Sequence, residues 1–277
     1  MQEAYRHCEA LVREADHDRF LADLFAPAER RPHLHALQAF NVEIARIGEI
    51  AREALAGEIR LQWWRDALAG RAHGEVSANP VAAALIDTIA RCELPTEPLQ
   101  TLIDARGRDL YREPIPTLAE LETYGRQTAA ALFELAGHIL DRSARVREVA
   151  NAGGSAYALA ALMRALPAHA VHGRIFIPLE LLDRHGVRPD EVTSGTAGAG
   201  LKAAIAELAG VARERLAEAR GGWPGIPPSA RPAFLPLALV APLLDRIERN
   251  PDPFRPVELA PWRRQWALWR AARRGSF

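Results

Sequence analysis

Apolar residues recur at intervals of three and four along segment after segment of this 277-residue chain. No run shows the period-two alternation with β-branched enrichment that marks a strand. An α-helix repeats its faces about every 3.6 residues and a strand every two, so this pattern admits a helical fold and excludes a sheet-based one. Helices are expected over residues 2–17, 30–54, 58–70, 79–91, 96–110, 117–140, 143–166, 197–220, 230–248 and 260–273. Prolines and glycines fall between them, at Asn79-Pro80 and within 95–98, 114–116 and 221–228. There a missing amide donor or a loosened backbone ends the helix. Thr117 followed by Glu120 has the spacing of a capping box. Gly153-Gly154 lies inside a helical pattern and predicts close helix packing rather than a phosphate-cradling loop. The run His172-Gly173-Arg174-Ile175-Phe176-Ile177-Pro178 reads as extended, and it is too short to found a sheet.

Apolar residues make up 49% of the chain and charged ones 25%, an ordinary globular balance, and no linker interrupts it. One domain over 1–277 is therefore expected. Lys and Arg total 35, as do Asp and Glu, which leaves no global bias toward nucleic acid, and no nucleic-acid partner is expected. Cys8 and Cys92 lack metal-ligand spacing and are too few for a disulfide framework, so a reducing compartment is the default. The first residues carry charge throughout without the apolar core of a secretory signal. Residues 233–244 form the longest apolar stretch, which carries Pro236 and Pro242 and falls short of the roughly 20 residues a spanning helix needs. A buried helix is expected there, in a cytoplasmic protein.

Residues 258–277 form a basic, Trp-rich C-terminal helix. Trp262, Trp266 and Trp269 follow i, i+4, i+7 spacing, flanked by Arg263, Arg264, Arg270, Arg273 and Arg274. Such a helix either lies on a membrane surface, with indoles at the interface and guanidinium groups on anionic headgroups, or docks its Trp stripe onto the core. The first reading makes the protein peripheral on the inner membrane, with Trp262, Arg263, Arg264, Trp266, Trp269 and Arg270 as its contacts.

Three stretches carry a family resemblance. The first is Leu37-Gln38-Ala39-Phe40-Asn41-Val42-Glu43-Ile44-Ala45-Arg46-Ile47-Gly48-Glu49, followed by Trp63-Trp64-Arg65. The second runs from Asp104-Ala105-Arg106-Gly107-Arg108-Asp109-Leu110 to Leu121 and Tyr124. The third is Ala161-Leu162-Met163-Arg164-Ala165-Leu166-Pro167-Ala168-His169, leading into Gly173-Arg174-Ile175-Phe176-Ile177-Pro178. Their order and spacing, from about Phe20 to Pro242, resembles the squalene/phytoene synthases, enzymes that join two prenyl diphosphates. The resemblance implies an all-α, single-domain isoprenoid-synthase-like helical bundle around a central cavity.

In that family, aspartates on facing helices hold Mg²⁺ against the departing diphosphate through hard oxygen ligands. At the matching positions this chain has Ala45, Arg46 and Glu49 in the first motif, and Ala161, Ala165 and His169 in the second. An alanine offers no ligand atom, and imidazole is a poor substitute for carboxylate oxygen around Mg²⁺. Asp109 and Arg164 do match family positions, and a buried ion pair is a structural use for either. Expected, then, are no catalytic residue, no metal ligand and no cofactor, with Mg²⁺ required only by an active prenyltransferase. Glu43, Arg46, Glu49, Asp109, Arg164, His169 and Arg174 are the candidates for a degenerate substrate pocket.

The runs around Phe40 and Leu162 closely resemble the non-catalytic branch of this family that assists assembly of mitochondrial respiratory complex I. That likeness implies an inactive homologue acting as an NADH dehydrogenase assembly factor, with respiratory-complex subunits and the membrane surface as partners. Two alternatives stay open: a squalene or phytoene synthase-like prenyltransferase, and a protein that binds an isoprenoid or lipid without turning it over. A further possibility is a positive pocket built by Arg164, His169, His172 and Arg174 for an anionic group. Glu43, Glu49, Glu53 and Glu58 do not all share one helical face, and most are expected to be solvated or paired with Arg46, Arg52 and Arg60.

Overall fold

The computed structural model describes every residue except 52, 73–75 and 197. Among the described residues there are fifteen α-helices and no strand. The chain opens with α1 (Gln2–Ala15), α2 (His17–Asp23) and α3 (Arg31–Ile50), then α4 (Ala54–Leu68), α5 (Pro80–Cys92) and α6 (Glu97–Gly107). A 3-10 turn at Arg108–Leu110 leads to α7 (Leu118–Gly125) and α8 (Ala131–Leu140), which a π-turn at Arg126–Ala130 joins. Next come α9 (Arg147–Arg164), α10 (Leu166–Val171), α11 (Leu179–Arg184), α12 (Pro189–Thr193) and α13 (Ala199–Gly222). Two segments close the chain: α14 (Val240–Glu248), entered through 3-10 turns at Arg231–Leu239, and α15 (Pro261–Arg274). None is long and apolar enough to cross a membrane.

Helix α9 sits at the centre because its residues are small. Ala150, Ala152, Gly153, Gly154, Ser155, Ala156, Ala158 and Ala160 are all buried, so α13, α7, α8 and α14 can each pack against it. Gly154 makes this explicit, since a Cβ built there would lie 2.3 Å from the Cα of Ala130 in the π-turn. At Gly153 the obstacle is a side-chain methyl, Leu237 Cδ1 at 2.5 Å. The glycine pair therefore serves packing, as its place in a helical pattern predicts.

The differences from expectation have local causes. The helix expected over 2–17 breaks at Asp16, whose side chain instead caps α2 by accepting the Arg19 amide. The helix expected over 117–140 is interrupted by the π-turn, where the Thr128 hydroxyl bonds the Tyr124 carbonyl and Gly154 presses against Ala130. Pro167 starts the short α10, so the helix expected to run to 166 stops at Arg164. The region 230–248 begins as 3-10 rather than α, with Pro236 inside it; a proline lacks the amide that an α-turn needs. It is buried, as expected. The short α11 and α12 carry too few turns for periodicity to reveal. Thr117 caps α7 by accepting the Glu120 amide.

Helix α15 docks through Leu268 and Ala271, which form a small separate cluster with Ala22, Leu235 and Leu239. Its tryptophans stay outside, with Trp262 at 63%, Trp266 at 55% and Trp269 at 41% exposure. The Trp stripe is thus not the docking face, because the opposite face supplies the leucine and the small alanines that fit against α2 and the 3-10 turns.

Candidate functional site

The end of α3, the end of α6 with the 3-10 turn after it, the end of α7 and residues 169–176 converge on one buried polar cluster. Asp109 is 7% exposed and lies where Gly48 lets α3 approach: a Cβ on Gly48 would sit 3.0 Å from Asp109 Cβ. The Tyr124 hydroxyl donates to the Asp109 carboxylate at 2.9 Å. Arg106, one helical turn before Asp109, donates to Asp109 Oδ2 at 3.1 Å and to the Tyr124 oxygen at 2.8 Å. Burial opposes charge on Arg106, yet the Tyr124 and Asp109 oxygens outweigh it and hold the guanidinium protonated. Burial also pushes the Tyr124 phenol well above its ordinary range, so it is a neutral donor.

The wall of this cluster is aromatic. Phe176 packs 5.9 Å from the Tyr124 ring and 4.5 Å from the His169 ring, centroid to centroid. Burial, reinforced by Arg174, His172 and Arg106, pushes His169 down to about 4, and its Nδ1 is buried without a partner. It is a neutral imidazole at neutral pH. Arg174 donates to the Gly48 carbonyl near the C-terminal end of α3, where a cation complements the helix dipole. Positive φ at Gly173, 66°, turns the chain out of α10 so that residues 174–178 can reach this wall.

The seven candidate pocket residues divide among different places. Asp109, His169 and Arg174 belong to the cluster just described. Glu43 and Arg46 line a shallow depression with Trp63, Trp64 and Asn79, where Asn79 donates to Glu43 at 3.4 Å and burial raises the Glu43 carboxyl. Glu49 is exposed. Arg164 points to another cavity of about 190 Å³, walled by Ala161, Ala165, Tyr157 and Leu243, where it lies 4.0 Å from Asp18. The positive pocket expected from Arg164, His169, His172 and Arg174 does not assemble. His169 is neutral, the exposed His172 ring pairs with the Ala168 carbonyl, and Arg164 faces Asp18. The pairing expected of Arg52 lies outside the described residues, and Glu58 takes the Tyr111 hydroxyl instead of an arginine.

Two contributors escaped the sequence reading. Asp18 accepts from Arg264 at 3.2 Å, so Arg264 turns inward and is not one of the outward-facing arginines of α15. A lone Asp in a short helix carries no signal for that pairing. Arg106 is the second, and a signal for it was present, since Arg106 and Asp109 are three residues apart and face each other on consecutive turns.

The arrangement does not fit Mg²⁺. That ion takes oxygen ligands in near-octahedral geometry, usually through carboxylates. Here Asp109 is committed to Arg106 and Tyr124, Glu49 is exposed at the surface, and His169 offers only nitrogen. Among the described residues no group of three or more His, Cys, Asp or Glu side chains is placed to hold a metal.

Residues 12–270 match the family model described as squalene/phytoene synthase. An NADH dehydrogenase (ubiquinone) complex I, assembly factor 6 from Bos taurus is 30% identical over 245 residues, 88% of this chain and 74% of that protein. The crystal structure of squalene synthase HpnC from Alicyclobacillus acidocaldarius superposes with a TM-score of 0.76 at 27% identity, covering 89% of this chain and 94% of that one. A dehydrosqualene synthase in complex with ligand reaches a TM-score of 0.86 at 19% identity over 99% of this chain and 96% of that one, a likeness of fold alone. With the match running through nearly every helix that builds the Asp109 cluster, the chain belongs to the squalene/phytoene synthase family.

Proposed function

We propose that this protein assists the assembly of a respiratory NADH dehydrogenase and does not condense prenyl diphosphates. The observation that carries the second half is the use made of Asp109, a carboxylate at a family position that is spent on Arg106 and Tyr124 inside an aromatic wall. Ala45, Ala161 and Ala165 stand where the family's motifs place oxygen ligands, and Arg46 adds a positive charge where a cation would bind. The cavity beside Ala161 and Ala165, about 190 Å³, lies below the roughly 300 Å³ at which ligand pockets usually begin. Support for the first half comes from the relative named as a complex I assembly factor, whose likeness extends over most of both chains.

Deletion of the gene in its source organism tests the assembly role. The expected result is a fall in assembled NADH dehydrogenase on native gels, restored by the wild-type chain and equally by an Asp109→Asn variant that keeps the fold. Unchanged assembly in the deletion strain contradicts the proposal.

A further inference from the structure

A wide groove that shares no residue with the Asp109 cluster lies between α14 and α15, with a volume of about 800 Å³. Its floor is apolar, made by Ala238, Ala241, Val257, Leu259 and Ala271. Its walls are arginine: Arg220, Arg246, Arg249, Arg263, Arg270 and Arg274. The one acidic side chain among the lining residues, Asp245, is occupied by Arg213 at 2.8 Å, and the Phe277 main-chain oxygen accepts from Arg220 at 3.0 Å. Among the described residues, the ion pairs of this region run from Arg213 to Asp245 and Glu248, from Arg255 to Asp252 and from Arg264 to Asp18. None reaches Arg246, Arg249, Arg263, Arg270 or Arg274. Charge is balanced over the whole chain, so this concentration of unpaired cations is local. Unpaired guanidinium groups repel one another across a groove and call for anionic oxygen between them.

The neighbouring face says what carries that oxygen. Trp266 lines the groove and also belongs to the exposed stripe with Trp262 and Trp269. Trp266 and Trp269 stack on each other at 4.9 Å, Arg273 covers Trp269 at 5.0 Å, and Arg263 covers Trp262 at 5.2 Å. Faces already covered in this way suit nucleobase stacking poorly, whereas indoles at a lipid interface need only a wet edge and a dry edge. Helix α15 carries five arginines and no acidic residue in its 14 residues. It is anchored from behind by Leu268 and Ala271, so the stripe and the groove mouth turn outward together.

We propose that α15 and α14 form a membrane-docking face, in which the Trp262, Trp266 and Trp269 stripe enters the interface of an anionic bilayer and the arginine groove receives a phospholipid phosphate. This face is separate from the Asp109 cluster, and its failure would leave the assembly role untouched.

The test is flotation of the full chain with vesicles of phosphatidylcholine alone and with one third phosphatidylglycerol, at low and high salt. Binding to the anionic vesicles only, weakened by salt, is expected. Replacing Arg246, Arg249, Arg270 and Arg274 by Gln should lower partitioning more than about 100-fold, at about five-fold per arginine. Replacing Arg6, Arg60, Arg126 and Arg145 by Gln removes the same charge elsewhere and should leave most of the binding. Gln has nearly the helix propensity of Arg, and circular dichroism checks that both variants fold. Trp262→Ala with Trp269→Ala should weaken binding even at low salt. Inorganic phosphate at millimolar concentration should not displace the protein from vesicles. Equal binding to neutral vesicles, equal loss in both arginine variants, displacement by free phosphate, or binding to a single-stranded oligonucleotide but not to vesicles would each overturn the proposal.

Discussion

Replacing Asp109 by Ala should destabilise the protein strongly, and the size of the loss follows from what Asp109 leaves behind. The substitution strands Arg106, whose side chain is only 20% exposed, and removes the acceptor of the buried Tyr124 hydroxyl. Breaking one partner out of a buried pair costs about 3–5 kcal/mol. Water reaching the exposed fifth of Arg106 places the expectation near the lower end, about 3 kcal/mol. For a chain of this length an unfolding entropy of roughly 2.1 cal/mol/K per residue turns that into a fall in Tm of about 5 °C. Urea unfolding followed by circular dichroism, with thermal melts alongside, measures both. The triple variant Arg106→Met, Asp109→Leu, Tyr124→Phe replaces the whole cluster with apolar groups of similar size and should return to within about 1 kcal/mol of wild type. A single Asp109→Ala variant as stable as wild type would refute the reasoning, because it would mean that the carboxylate is not committed to Arg106 and is free for chemistry.

Gly154→Ala gains about 1 kcal/mol of helix propensity but drives a Cβ to 2.3 Å from the Ala130 backbone, so overpacking of about 1–3 kcal/mol or more should win. Gly153→Ala meets only a movable leucine methyl and should be milder; equal effects in denaturant titrations would contradict the packing account. His169 is held at about 4 against an ordinary 6.5, so the unfolded chain binds a proton between those values that the folded chain refuses. Its contribution is present above about pH 6.5 and is lost as pH falls through 4, by about 3 kcal/mol in all. His169→Gln should flatten that part of the pH–stability curve, and an NMR titration placing the imidazole near 6.5 would remove the cause.

Helical class and the positions of the long helices were legible because periodicity and proline punctuation act locally, and α3, α5, α9 and α13 fall close to where they are expected. The π-turn was not legible, since it depends on Gly154 pressing from a helix that follows later in the chain. At the site, the sequence exposed which residue types stand at the motif positions, and Asp109 with Tyr124 was part of that pattern. It did not expose the separation of Arg164 from Asp109, because a residue-by-residue motif says nothing of which wall of the bundle each side chain faces. Arg264 shows the same limit in a helix whose composition reads as uniformly outward. One residue step along α15, about 100° of rotation, brings it round to Asp18, while Arg263 and Arg270 remain on the solvent side.

Loss of prenyl chemistry is tested most directly by incubating the purified protein with farnesyl diphosphate and Mg²⁺, with and without NADPH, and analysing the extracts for condensed product. The account predicts farnesyl diphosphate recovered intact and the same calorimetric titration of diphosphate whether or not Mg²⁺ is present. A condensed C30 product whose formation requires Mg²⁺ would contradict it.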